Sequence, residues 1–443
     1  MEFFVFLLLM VTAYLPFLKL KGEWRKPIKI IIMPWLVYTS IIIFFGVRFS
    51  KSSLEPILII SILIFLSGCF FTIGRAYGKK TMGSFYRNST LGPFSSKGSR
   101  SVYKCLLVLG LLGGAYFILE KIQTLSGISS FYTFDLHQVR ISNSVESELG
   151  DKGAATFLSR FFFSFCFLSF CFSGEDFRHR DRYLYILNIC CITTVFCVAM
   201  ISAGRLFIFY YIAGFFLMKY INGGVIKRWQ YSFASLAIVA MIAMFYFRAP
   251  SNVYGVKEFY MNLLKIEDIG FFFGLADFEG GLFDTVSILV MYLVHSFGVL
   301  SEFYTYLSFN EYAYGGYSFN LPYRILNKIF SLEIPVVQDY RNDPSLGLYA
   351  SFARDILADF GVVGACIFLS SIALVTGYSY SLRNYSWSYR VVTYWGMVYF
   401  AMAPLLSVIS VGFINVMYFF SIFFVVLLPF FSKVTRKFKV KTH

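Results

Sequence analysis

The chain has 443 residues, of which 58% are hydrophobic, 21% aromatic and only 14% charged, and its formal net charge is +15. So apolar a composition excludes an ordinary soluble domain of this length. The fold class it implies is all-α and polytopic: the apolar runs match one helical crossing of about 30 Å of hydrocarbon and lack the ten-residue alternation of a membrane β-barrel.

The first run, 3–18, has no basic stretch before it and no small-residue cleavage site after it, so it is expected to stay on the protein as a first span. Further spans are expected at 28–46, 54–74, 104–120, 155–173, 183–201, 206–221, 230–247, 361–379, 391–409 and 414–431, about eleven in all within a range of ten to fourteen. Basic residues gather in alternate connections. The segments 19–29, 75–104, 178–182, 219–228 and 383–390, with the tail 433–441, hold 25 of the 39 lysines and arginines, whereas only Glu23, Glu175, Asp176 and Asp181 lie on that face and 20 of the 24 acidic residues lie elsewhere. Retention of Lys and Arg in cytoplasmic loops assigns that face to the cytoplasm, with the N-terminus outside and the C-terminus inside.

The alternation is consistent only if the apolar run 183–221 is a hairpin of two spans, because both of its flanks are basic. Its turn, Ser202-Ala203-Gly204-Arg205, then faces outward. The same parity places Lys121–Ala154 and 248–360 outside, the second as one large loop containing short helices, within a single integral membrane domain covering 1–443. The run 284–309 is read as an amphipathic or re-entrant helix along the outer membrane surface, although two crossings would also preserve parity. The positive charge reports topology and anionic headgroups and gives no support for nucleic-acid binding.

All eight cysteines sit in or beside apolar runs as small hydrophobes, and disulfides are not expected. The four histidines are scattered, so neither a metal nor another cofactor is indicated.

Polar chemistry concentrates in the external segments. Six arginines, Arg140, Arg160, Arg205, Arg248, Arg341 and Arg354, are disposed there. An arginine within a span faces a partner or a watery cavity, or else snorkels to headgroups, and both readings stand for Arg160, Arg205 and Arg248. Arg205 opens a span, so its charge lies beside the positive end of a helix dipole; an anion bound at the Ser202–Gly204 turn would relieve that, met by backbone N–H groups and a bidentate guanidinium. Farther on, "YASFARDILADFG" reads as a helix that carries Asp355 and Asp359 on one face and ends at Gly361. Either aspartate suits a general base toward a sugar hydroxyl, or a solvated helix face. The aromatic and glycine-rich run 302–330, with Tyr317, and Tyr349 after it offer rings for stacking on sugars or an interfacial belt.

Four pieces, "LSRFFFSF" with Arg160, "ISAGRLFIF" with Arg205, the long external loop with "YGGYSFNLP", and "LYASFARDILADFGVVGA", resemble in order and setting the oligosaccharide repeat-unit polymerases, the O-antigen and capsular polysaccharide polymerases of the bacterial inner membrane. The resemblance covers about residues 130 to 380. It implies a metal-independent, inverting membrane glycosyltransferase acting at the periplasmic face on undecaprenyl-diphosphate-linked oligosaccharides among membrane lipids, with a chain-length-regulating co-polymerase as a further partner. On that reading Arg140, Arg160, Arg205 and Arg248 bind diphosphate, Arg341, Arg354, Tyr317 and Tyr349 bind substrate, and Asp355 or Asp359 acts as the base. His295, the one histidine in the large loop, sits in an apolar helix and is expected to pack. A flippase for the same lipid-linked oligosaccharide is the alternative, although it would show two related halves and short loops. A ligase joining finished glycan to lipid A shares the architecture. A structural or sensor protein leaves the six arginines unexplained.

Overall fold

A computed structural model describes residues 2–20, 24–49, 54–85, 97–126, 154–173, 181–201, 206–224, 226–228, 230–232, 235, 266–269, 290–291, 294–301, 303–304, 312–334, 351–408 and 411–423. The protein is an all-α, polytopic membrane protein. Its helices are α1 (Glu2–Tyr14), α2 (Arg25–Phe44), α3 (Leu54–Phe85), α4 (Lys97–Ser126), α5 (Ala154–Phe163), α6 (Arg182–Ile201), α7 (Leu206–Ile221), α8 (Asn320–Phe330), α9 (Phe352–Leu382), α10 (Trp387–Met402) and α11 (Gly412–Phe423). Among the described residues six helices are long and apolar enough to cross a membrane, and Phe4–Phe17, Leu206–Ile221 and Gly412–Phe423 are shorter apolar helices. The expected span 230–247 lies almost wholly outside the described residues.

Small residues decide how closely the helices approach. With no hydrophobic drive between helices in lipid, association depends on close backbone contact, which glycine permits. α3 and α9 form the largest contact, side by side and in the same direction, with Gly74 against Leu374 and Gly78 against Tyr378. A Cβ on Gly74 would run into the Leu374 carbonyl, and one on Gly377 into that of Phe71. Two glycines of α4 work similarly, Gly113 against α5 and Gly110 against the residues that follow it. A Cβ on Gly113 would stand 2.6 Å from both the Phe163 nitrogen and the Ser159 oxygen, and one on Gly110 would stand 2.8 Å from the Cys166 nitrogen. Beyond α5 the chain tightens into a buried 3-10 stretch, Ser164–Phe172, where Ser164 and Ser169 hydroxyls donate to the carbonyls three residues back. Runs of this geometry longer than three or four residues are uncommon. This one lies where α4 approaches closely.

The basic connections converge at one end of the bundle. The Arg75 guanidinium rests 4.4 Å from the Trp24 ring and 4.8 Å from the Tyr380 ring. Arg383 Nε donates to Asn222 Oδ1 at 3.3 Å, and Lys104 pairs with Asp181 at 2.8 Å. Trp387 packs on Tyr103, with ring centres 5.5 Å apart. Segments 19–29, 75–104, 178–182, 219–228 and 383–390 are thereby joined. Both flanks of the 183–221 hairpin lie together, as the charge alternation requires.

At the opposite end β1 (Val47–Phe49) pairs antiparallel with β2 (Ile266–Ile269), the one short ribbon among the described residues. Of the run 284–309, expected as an amphipathic or re-entrant helix, the described residues from 290 to 303 are all buried and Tyr304 is partly exposed, which fits a segment that enters the bundle and not one lying flat on its surface. Tyr38 Oη donates to the Val294 carbonyl at 2.7 Å, Ser296 Oγ donates to the Pro404 carbonyl, and Phe49 packs on Phe297. The segment's Ser296 hydroxyl thus finds a partner inside the bundle. The helix whose pattern suits the membrane boundary is α8, which has no buried residue and exposes Leu326, Ile329 and Phe330 while also carrying Arg324 and Lys328.

Candidate functional site

The site lies where α9 begins. Ser351 precedes the helix, Phe352 N–H donates to the Ala403 carbonyl at 3.0 Å, and the Phe352 ring packs against Trp35 and Tyr399. This anchors the first turn to α2 and α10. Nine residues later the helix breaks at Gly361, whose φ of 64° and ψ of −173° are left-handed and open to glycine at little cost. A side chain there would also meet the Tyr312 ring at 2.7 Å. The sequence expectation that the "YASFARDILADFG" helix ends at this glycine holds as a kink between 352–360 and the span that follows.

A helix end leaves carbonyls unpaired. The turn 312–319 supplies their partners: Ala313 N–H donates to the Ala358 carbonyl at 2.9 Å and Tyr314 N–H to that of Asp359 at 3.0 Å. The Asp359 side chain completes the grip. Its Oδ1 accepts Tyr317 N–H at 2.9 Å and its Oδ2 accepts Ser318 N–H at 2.8 Å, while the residue is wholly buried. Asn415 of α11 holds the same turn from the other side, its Nδ2 donating to the Ser318 carbonyl at 2.7 Å. Tyr314 and Gly315, at φ 46° and 99°, let the chain double back, and Tyr323 Oη donates to the Tyr314 carbonyl at 3.0 Å.

Arg354 and Asp355 form a buried ion pair beside this turn. Arg354 Nε and Nη2 both reach Asp355 Oδ1, at 2.8 and 2.6 Å, with side-chain exposures of 12% and 5%. The guanidinium also lies 5.5 Å from the Tyr317 ring. Tyr317 packs with Phe303, Ala313 and Ala358. A buried charge without a partner is strongly unfavourable, so this pair is held by geometry and not by solvent.

Four residues singled out from sequence, Tyr317, Arg354, Asp355 and Asp359, are thus brought together. Arg160 lies on α5, which touches α8, and its guanidinium is 5.5 Å from the Phe117 ring. Arg140, Arg205, Arg248, Arg341 and Tyr349 lie outside the described residues. His295 is buried in the apolar helix at 2% exposure. Asn415 was missed, and the burial of the described residues between 290 and 303 was not foreseen. An asparagine inside the apolar run "GFINVMYFF" was the available signal for the first, since a polar side chain in a span seeks a partner. Among the described residues no three His, Cys, Asp or Glu side chains are grouped so as to hold a metal ion.

Compared with family models, curated proteins and solved structures, the chain gives no match in any of the three.

Proposed function

We propose that the protein is a metal-independent, inverting glycosyltransferase that polymerises undecaprenyl-diphosphate-linked oligosaccharide repeat units into a surface polysaccharide. It would act at the periplasmic face of the bacterial inner membrane, with its N-terminus periplasmic and its C-terminus cytoplasmic. The observation that carries the reading is the buried Arg354–Asp355 pair against Tyr317, at the end of the bundle opposite the basic connections.

In this reading the two aspartates divide the work. Both oxygens of Asp359 accept backbone N–H groups, which suits it to position the turn that carries Tyr317. Asp355 is then the base. The acceptor sugar hydroxyl gives its proton to the Asp355 carboxylate, its oxygen attacks the anomeric carbon of the donor glycan, and the bond from that carbon to the diphosphate oxygen breaks. The bonding pair leaves on undecaprenyl diphosphate, with inversion at the anomeric carbon. Arg140, Arg160, Arg205 and Arg248 are assigned to the leaving diphosphate, whose growing negative charge fixed guanidinium donors stabilise in a water-poor site. Arg354 and Arg341 with Tyr317 and Tyr349 are assigned to the sugars, the rings stacking and the arginines bonding hydroxyls.

Purified full-length protein given short lipid-linked repeat units should produce a ladder of longer lipid-linked products. Units that cross a liposome membrane without lengthening would make the protein a flippase. Glycan passed to lipid A without lengthening would make it a ligase.

A further inference from the structure

An open groove of about 580 Å³ runs between α2 and α7 and is closed at one end by the residues that follow α10. Met33, Val37 and Ile41 of α2, Leu217 and Tyr220 of α7, and Pro404 form its walls, and Lys29 stands at the other end. At 1.5 Å per residue, Lys29 to Ile41 along α2 covers about 18 Å. That is slightly more than half of the roughly 30 Å hydrocarbon thickness, the depth of one leaflet. The groove faces outward from the bundle, since Met33 is 43% and Val37 57% exposed.

Its polar end is cationic. Lys26 lies one turn before Lys29, with its ammonium 6.0 Å from the centre of the Tyr220 ring that forms part of the wall. It is also 3.7 Å from where a Cβ would stand on Gly223, the residue that turns the chain after α7 at φ +70°. Among the described residues no acidic side chain lines the groove. One leaflet's depth of apolar wall with two ammonium groups at its mouth fits a ligand with an apolar tail and an anionic head. We infer that the groove holds an acyl chain of an anionic phospholipid whose headgroup phosphate rests on Lys26 and Lys29. The mouth lies at the end where the basic connections converge, away from the Arg354–Asp355 pair, so this lipid is separate from the substrate of the proposed reaction. Bound there, it would tie α2 to α7.

The test uses purified full-length protein and native mass spectrometry with competing phosphatidylglycerol and phosphatidylcholine. Each lysine near the headgroup plane is worth about a five-fold preference, so the wild type should retain the anionic lipid about 30-fold more readily. The double variant Lys26→Gln/Lys29→Gln should bring that ratio to about one. Val37→Trp fills the groove from an exposed position, so it should reduce retention of phosphatidylglycerol while leaving the lipid-free Tm unchanged. Equal retention of the two lipids by the wild type, or a preference that survives the double variant, overturns the inference. So does undiminished retention in Val37→Trp, which would mean that another segment of the chain covers the groove. Displacement of the lipid by millimolar inorganic phosphate alone would reduce the site to a bare anion site and overturn it equally.

Discussion

The two ends of the bundle use charge in opposite ways. At the basic end cations rest on rings and carbonyls: Arg75 lies between Trp24 and Tyr380, Arg390 donates to the Cys171 carbonyl at 3.2 Å and lies 4.9 Å from the Phe172 ring, and Arg383 donates to the Tyr380 carbonyl at 2.6 Å. The acidic partner there, Asp181, sits at the start of α6 outside the span, where it accepts Leu184 N–H and pairs with Lys104 and Arg100. At the other end two carboxylates are buried among the described residues, Asp359 gripping a backbone turn and Asp355 paired with Arg354. Cations on rings need only be present and packed. A buried carboxylate must be placed precisely or it unfolds the region around it, and the same placement is what acid–base chemistry requires. The contrast separates charge that secures the fold from charge arranged for reaction.

The largest effect should come from Asp359→Ala, which strands two buried N–H groups at about 1–3 kcal/mol each, so a loss of about 4 kcal/mol is expected. Asp359→Asn keeps one acceptor and should lose about half as much. Unfolding in mixed micelles gives the totals, and amide exchange at residues 313–318 should quicken first. Gly377→Ala drives a methyl into the Phe71 carbonyl and should destabilise by about 3 kcal/mol in the same assay, with no preference for either end. Charge-conserving changes then separate the ends. Arg205→Lys keeps the charge and removes the fork, so chain lengthening should fall about ten- to a hundred-fold while Tm holds; an unchanged rate would remove Arg205 from the diphosphate site. Arg75→Lys should do the reverse, with a loss of about 1 kcal/mol in stability and normal lengthening.

The smallest effect is tied to pH. Partial burial pushes the Asp181 carboxyl up, but the hydrogen bond from Lys104, the Leu184 N–H and the charges of Lys104 and Arg100 outweigh it and hold the group below its ordinary value. A depressed folded value means stability that is complete above the unfolded pKa, near 4, and fades as pH falls through the folded one. Asp181→Asn should therefore cost about 1 kcal/mol at pH 7 and progressively less below about pH 4, measured by Tm across that range. A pH-independent difference would mean that the carboxylate's charge is not what caps α6.

Most of the bundle was legible because a membrane leaves few options. Runs near 20 residues become helices, and basic flanks mark which ends lie together, so even the 183–221 hairpin could be resolved from the pairs that now join Asp181 to Lys104 and Asn222 to Arg383. The kink at Gly361 was legible because glycine after a helical pattern is a local signal. The docking of the 312–319 turn onto Asp359 was not, since it joins residues 41 and 42 apart through backbone N–H groups that carry no sequence identity. The course of 284–309 was left between alternatives for a related reason. Parity fixes whether the number of crossings is odd or even but not whether an apolar segment enters the bundle and returns, and only partners such as Tyr38 and Pro404 determine that.

The most direct test of the central claim is the rate of chain lengthening by Asp355→Asn, compared with Asp359→Asn at equal folded fraction. If Asp355 takes the proton, its amide variant should bind the lipid-linked acceptor with an unchanged KM and lengthen it about 10³-fold more slowly. Asp359→Asn should lose activity only in proportion to its loosened turn. A folded Asp355→Asn protein that lengthens chains within a few-fold of the wild-type rate would contradict the account.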